Sequence, residues 1–378
     1  MSREDAGLRV ALTVEQLWQA VPGGSGSYIL ELLAALAERD EVTTVGLSAL
    51  HRGAPGPDLT PPGPVRAFPL PRAALYRLWN RVPGPRPEAL LRGLDVVHAT
   101  TWAIPPTRRP LVVTVHDLAF LRDPGHFTPG GVRFFTRALE RTRDEADAVV
   151  VPSQATAEDC VAAGIEPERV HVVPHGAPAW TVSAPDVAGL RARLALPERF
   201  VLWCGTQEPR KNLDGLLRAF EVVAREDPDL DLVLVGPSGW GERHGSATGA
   251  AAGRVHELGR LPVADLRAAY AAATSFAFPS HWEGFGLPVL EAMSVGTPVV
   301  TSRASSMAEI VGSAGILVDP TDPADLAAGI LRASGAEGLP LGALGRARAR
   351  EFTWARSAEG HVAAYRAAAG LTGGTGSP

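Results

Sequence analysis

Ser275-Phe-Ala-Phe-Pro279 and the stretch His281-Trp-Glu-Gly-Phe-Gly-Leu-Pro-Val-Leu-Glu-Ala-Met293 decide how the rest of the chain is read. An apolar run of strand length passes through Gly284 and Gly286 into Pro288, whose missing N–H costs nothing in the first turn of a helix. The glycines let backbone approach a ligand closely, and the helix start adds N–H groups and the positive end of its dipole. This predicts an anion site suited to a phosphate, with Glu283 in the loop and Glu291 in the helix. Carboxylates repel a bare phosphate, so the two glutamates are read as accepting hydrogen bonds from hydroxyls on either side of it. A nucleotide sugar offers that arrangement. For two glutamates alone, a surface residue and a dipole-favoured one would be explanation enough. Strand, glycines, proline and spacing occur together here.

The chain has 378 residues, 46% hydrophobic and 20% charged, enough apolar content for two cores. Its 40 glycines and 33 prolines are spread among apolar runs and do not signal disorder. A net charge of −5 supplies no general field for nucleic acid, and none is expected as a partner. Cys160 and Cys204 have no metal-ligand or C-x-x-C spacing, which fits a reduced, cytoplasmic setting. The N-terminus runs straight into a strand-like segment without a signal-peptide pattern, and no apolar stretch reaches the ~20 residues that span a bilayer.

In the first half, Arg9–Val14, Val42–Leu47, Leu94–Ala99, Leu111–His116, Asp147–Ser153 and Val170–Gly176 read as buried parallel strands, alternating with helix-length segments such as Ser27–Ala37. Pro22–Ser27 reads as a Gly-rich strand-to-helix turn, and Gly53–Pro71 as too rich in proline and glycine for a regular ladder. Arg66, Arg72, Arg77, Arg81, Arg86 and Arg92 stand against the single acid Glu88, interleaved with Leu75, Tyr76, Leu78 and Trp79. This is the best basic patch in the chain, to be weighed against a solvated helix over a partly buried aromatic pair. His116 ends its strand at the carboxyl edge, where open α/β sheets bind ligands. Ala177–Pro185 reads as a linker.

The second half opens with the strand Phe200–Gly205, followed by Thr206-Gln-Glu-Pro-Arg-Lys-Asn212 before an amphipathic helix. Adjacent cations at a helix start oppose its dipole, so Arg210 and Lys211 point to an anion. Asp227-Pro-Asp-Leu-Asp231 holds two D-x-D patterns. They precede the strand Leu232–Gly236 and fall on the wrong edge of the sheet, so they read as a solvated turn and no metal is expected. Ser238–Gly253 reads as a mobile loop and Val255–Leu261 as a short strand. Pro298–Ser302 and Gly315–Pro320 close the sheet, Ser305 and Ser306 look like helix caps, and Phe352–Ala369 is an amphipathic helix.

Glu283 and Glu291, in an E-x7-E pattern enclosing G-F-G-L-P, resemble the retaining glycosyltransferases of the GT-B fold, family 4 (group 1), and the likeness runs along essentially the whole chain. It implies an α/β fold of two Rossmann-like, doubly wound parallel-sheet domains facing each other across a cleft. Residues 1–177, completed by helix 352–370, would form the acceptor side, residues 186–351 the donor domain, and 371–378 a disordered tail. Gly24 matches the family's G-G-x-G loop. Val115-His-Asp-Leu118, with Pro124, His126 and Phe127, resembles mannosyltransferase-type members, whose matching histidine touches the donor sugar. Gly205 opens G-x-x-x-x-R-K-N, in which Arg210 and Lys211 grip the diphosphate, while Arg260 and Leu261 would frame the base. Glu283, Gly284, Phe285, Gly286, Leu287 and Glu291 would complete the donor site.

The catalytic set so implied is His116, Glu283, Arg210 and Lys211, with no metal and no cofactor. The donor would be a nucleoside-diphosphate sugar, GDP-mannose favoured and UDP-hexoses such as UDP-glucose open, and the acceptor a hydroxyl of a glycan, lipid or small molecule. Arg72–Arg92 would dock an anionic acceptor or contact the inner membrane face weakly and reversibly. A nucleotide-sugar epimerase or phosphorylase shares this architecture, and a non-catalytic sugar-nucleotide-binding module would keep the same site. A dinucleotide oxidoreductase is disfavoured, because Gly23-Gly-Ser-Gly26 lacks the G-x-G-x-x-G register and no acid ends the second strand.

Overall fold

The computed structural model describes residues 7–239 and 249–371; the tail from Gly373 and most of the Ser238–Gly253 loop lie outside them. The chain divides into two compact units, Met1–Gly176 with Trp354–Pro378, and Ala177–Thr353. The segment read as a linker belongs to the second unit: Ala177, Trp180 and Val182 pack against its core, because their apolar surface is worth covering even without periodicity.

The first unit is built on seven parallel strands: β1 (Leu8–Thr13), β2 (Val42–Ser48), β3 (Val65–Ala67), β4 (Val96–Ala99), β5 (Leu111–Thr114), β6 (Ala148–Val151) and β7 (Val170–Val172). Their order is β3-β2-β1-β4-β5-β6-β7. The winding therefore reverses between β1 and β4, the place where open sheets take ligands. All residues of β4, β5 and β6 are buried, as their near-continuous apolar runs require, and the polar exceptions His98 and Thr114 bond each other.

β3 lies inside the segment judged unable to pair. Three residues suffice beside β2, with Val65 opposite Gly46, and as an edge strand β3 tolerates flanking prolines that a central strand would not. A second correction concerns Pro22–Ser27. Helix Gly23–Ala37 begins four residues before Ser27, so the glycines form its first turn. Gly26 is required there, because a Cβ would sit 2.5 Å from Pro22 Cβ.

The helix Trp354–Ala368 packs in the first unit against helix Gly23–Ala37 and strands β5, β6 and β7. Ala358, Val362, Ala364 and Tyr365 join one core cluster with Leu12, Leu32, Val112 and Val150.

The second unit repeats the plan with six parallel strands, β8 (Arg199–Cys204), β9 (Leu230–Val235), β10 (Val255–Gly259), β11 (Ser275–Phe278), β12 (Val299–Ser302) and β13 (Ile316–Val318). Their order is β10-β9-β8-β11-β12-β13, with the reversal between β8 and β11. The loops after these two strands carry Arg210-Lys211 and Glu283. The loops after β8 and β9 also approach closely, since a Cβ on Gly236, at φ +137, would lie 1.9 Å from the Gly205 carbonyl oxygen.

Candidate active site

After β8 the chain makes one tight helical turn, Pro209–Lys211, and Asn212 takes the left-handed conformation, φ 55, before helix Leu213–Glu226. Its amide pins the turn, donating from Nδ2 to the carbonyls of Pro279 (3.1 Å) and Pro320 (2.7 Å). Asparagine adopts this conformation readily, and the two bonds hold it there. The His281 N–H donates to the Arg210 carbonyl at 2.9 Å, joining the loops after β8 and β11.

At that junction the cations meet Glu283. The Lys211 Nζ lies 2.5 Å and Arg210 Nη1 2.9 Å from the same oxygen, Glu283 Oε1. Arg210 also donates to the Trp282 carbonyl (2.7 Å) and through Nη2 to Glu208 (2.7 Å), and Lys211 Nζ stands 4.7 Å from the Phe278 ring centre. Glu283 is 7% exposed. Burial pushes its pKa up, but Arg210 and Lys211 overcome this and hold it at about 2, so it stays ionised. Ser305 and Ser306 do not cap the helix that follows them. The Glu283 N–H reaches Ser305 Oγ at 3.3 Å and Ser306 Oγ donates to the Glu283 carbonyl at 2.9 Å. These serines, with Glu208, are supports the sequence reading did not assign to the site, since they stand far along the chain or have ordinary turn chemistry; Asn212 closes the R-K-N run, but its bonds to Pro279 and Pro320 are set by the fold.

Gly286, at φ +91, opens helix Leu287–Val295, with Pro288 at its second position. Phe285 is 4% exposed and packs edge-on against Phe352, so its ring is part of the core. Leu287 likewise packs against that core. Glu291 Oε2 accepts from the Tyr270 hydroxyl at 2.8 Å, which orients the carboxylate from helix Val263–Ala272. Arg260 is exposed just past β10, two strands from β8, while Leu261 is half-buried against the second core. The D-x-D acids are engaged structurally: Arg199 binds Asp227, and Arg254 and His256 bind Asp231.

In the first unit, Gly24 is exposed in the first turn of its helix. His116 follows β5, and its Nε2 lies 3.0 Å from the Thr100 carbonyl. A carbonyl only accepts, so Nε2 carries the proton and Nδ1 the lone pair. Burial lowers its pKa, keeping the ring neutral. Behind it runs a buried network. The Tyr28 hydroxyl meets Thr114 (2.8 Å) and His361 Nε2 (2.8 Å), and His98 joins Thr114 (2.7 Å) to the Tyr365 hydroxyl (2.9 Å).

Burial brings His361 down to about 4 and lowers His98 and His175 well below 6.5. A depressed histidine leaves stability unchanged above the unfolded value of 6.5. Below it the unfolded chain binds protons that the fold refuses, and stability falls until the folded pKa is reached. Each such group removes about 1.4 kcal/mol per pH unit across that window. The unfolding midpoint of the full chain should thus be level above pH 6.5 and drop steeply towards about 4, a drop that His361→Gln makes shallower. A level profile over the whole range contradicts this.

Of the basic segment, Arg72 and Arg77 are exposed on helix Arg72–Trp79, whose Leu75 and Trp79 are core. Arg81 is exposed just beyond it, and Arg133 and Arg137 on helix Pro129–Glu145 add two cations the sequence reading did not include. Arg141 donates to the Trp79 carbonyl and Tyr76 stacks on Phe134, so the two helices are neighbours. A depression there is lined by Asn80, Gly130, Arg133, Phe134 and Arg137. Both thiols, Cys160 and Cys204, are pushed up to about 12 by burial and stay protonated.

The chain thus holds two parallel-sheet Rossmann-like units, with cations and a carboxylate at the winding reversal of the second, where open sheets take ligands. Residues 22–179 match the model of Glycosyltransferase Family 4, and residues 198–335 that of Glycosyl transferases group 1. The O-antigen chain mannosyltransferase B of Escherichia coli is 30% identical over 369 residues, covering 91% of this chain and 96% of that protein. A D-inositol 3-phosphate glycosyltransferase of Acidothermus cellulolyticus is 30% identical over 91% of this chain and 85% of its own length. Among solved structures, Anabaena HepE in complex with UDP and glucose superposes with a TM-score of 0.70 at 22% identity, over 94% of this chain and 98% of that one. The chain belongs to the group 1, family 4 glycosyltransferases. No helix among the described residues is long and apolar enough to cross a membrane.

Proposed function

We propose that the chain transfers a hexose, mannose favoured, from a nucleoside-diphosphate sugar to an acceptor hydroxyl with retention and without a metal. The observation that carries this is the Arg210–Lys211–Glu283 cluster, in a chain 30% identical to a mannosyltransferase along 91% of its length. As the bond from the sugar's anomeric carbon to the diphosphate oxygen breaks, negative charge grows on the leaving group. The Lys211 ammonium has three N–H donors, of which Glu283 takes one. The others, with the Arg210 guanidinium and the helix start after Gly286, stabilise that charge more in the transition state than in the ground state. Glu291, oriented by Tyr270, accepts from the ribose hydroxyls. His116 turns its Nδ1 lone pair to a sugar hydroxyl. The new bond forms on the face that the diphosphate leaves, and the acceptor's proton goes to the departing phosphate. The exposed arginines of the first unit hold the anionic part of the acceptor or a headgroup at the inner membrane face.

A panel of GDP-mannose, UDP-glucose and their nucleoside diphosphates in thermal unfolding tests the donor. Ligand at 100 times its Kd stabilises by about 2.7 kcal/mol, and GDP-mannose should give the largest shift. Transfer should survive EDTA. No shift with any nucleotide sugar, or activity lost to EDTA and restored by magnesium, overturns the reading.

A further inference from the structure

We infer that Glu15, Trp18 and His51 hold a neutral, hydroxyl-bearing ring of the acceptor. β1 and β2 are parallel neighbours, so the helical turn Glu15–Trp18 after β1 and His51 after β2 meet at the carboxyl edge of the first sheet. Glu15 is 3% exposed. Its Oε2 accepts from the Ala49 N–H at 2.7 Å and lies 2.9 Å from His51 Nε2. Its Oε1 is enclosed and takes no hydrogen bond among the described residues. Buried carboxylate oxygens are normally satisfied, and an enclosed one without a partner marks a place where a donor is held once the Trp18–His51 cover shifts.

A carboxylate only accepts, so His51 Nε2 donates to Glu15, and Nδ1 is the ring's remaining hydrogen-bonding atom on a side chain that is 23% exposed. The ring orientation is fixed: Trp18 stacks on it at 4.8 Å and 9°, and Trp18 Nε1 donates to the Gly53 carbonyl at 3.0 Å. Tyr76 comes close enough that Glu15, after burial, helps raise its hydroxyl's pKa. A carboxylate oxygen accepts from hydroxyls and repels anions, the imidazole adds a hydrogen-bonding nitrogen, and the aromatic rings suit the apolar faces of a sugar or cyclitol. The subsite thus complements the arginine surface, which would take any anionic part of the same molecule. This rests on the glycosyltransferase assignment and adds the chemistry of its acceptor.

Saturation-transfer NMR on the full chain, with methyl α-mannopyranoside, methyl α-glucopyranoside and myo-inositol as probes, tests it. The wild type should saturate ring protons of at least one probe. His51→Ala and Glu15→Gln should weaken that probe about tenfold, the effect of losing one hydrogen bond to a charged or polarised acceptor. Shifts with UDP or GDP on the same samples should not change, so a donor-site failure is seen separately. No probe bound by the wild type, or His51→Ala binding as the wild type does, overturns the inference. Should Glu15→Gln lose its fold, the variant at the partly exposed His51 still decides.

Discussion

Glu283→Ala should lower turnover by roughly 10²- to 10³-fold and destabilise the second unit by about 3–5 kcal/mol. The side chain is the shared counter-ion of Lys211 and Arg210 in a nearly enclosed position. Removing it leaves Lys211, which lies over the Phe278 ring, without its carboxylate, and leaves Arg210 with Glu208 in place of two acids. Both then move, and the groups proposed to hold the diphosphate lose their positions. The depressed pKa gives a second reading of the same interaction. A carboxyl at about 2 instead of 4.5 contributes stability that is complete above pH 4.5 and lost as pH falls towards 2. That shift corresponds to about 3 kcal/mol. Glu283→Gln should keep the shape and lose the charge, separating packing from electrostatics. Steady-state transfer and denaturant unfolding check both, and a Glu283→Ala protein with wild-type turnover and midpoint contradicts the assignment.

Ending the chain at Thr353 should unfold the first unit and spare the second. Helix Trp354–Ala368 buries Ala358, Val362, Ala364 and Tyr365 in the first core, and full burial of one large apolar side chain is worth about 1.5–3 kcal/mol. Its removal also strands buried polar groups, because the Tyr28 hydroxyl loses His361 and His98 Nδ1 loses the Tyr365 hydroxyl. Unmet partners of this kind cost about 1–3 kcal/mol each. Together these losses match the whole stability of an ordinary domain, about 5–15 kcal/mol. The second unit keeps its core, including Phe285 against Phe352. Hydrogen exchange on the truncated chain would show this as lost protection in β1, β4, β5 and β6, with protection kept in β8, β9 and β11. Retained protection in the first sheet contradicts it.

Much of this architecture is legible in the linear chain, for a physical reason. A strand covered on both faces must be largely apolar, so β4, β5, β6, β8, β9 and β11 announce themselves as near-continuous runs, and helix-length segments between them force parallel connections. Gly286 before Pro288 marks the helix start by backbone chemistry alone, and the cations after β8 stand out because they oppose a helix dipole. Strand β3 was hidden, because three residues between prolines carry no periodicity and pairing depends on what lies beside them.

The site divides along the same line. Sequence determined which groups arrive at the carboxyl ends of the strands: Arg210, Lys211, Glu283 and His116 are placed there by the strand that precedes each. Tertiary structure alone decided what they touch. Lys211 and Glu283 are 72 residues apart, and only the adjacency of β8 and β11 makes them a pair on one carboxylate oxygen. Phe285 lies between two glycines of the site loop, yet its ring turns into the core, a direction that spacing does not encode. Glu15 and His51 look ordinary in sequence. The parallel register of β1 and β2 brings them to hydrogen-bond distance, because contacts across a sheet are set by strand order, which depends on the whole fold.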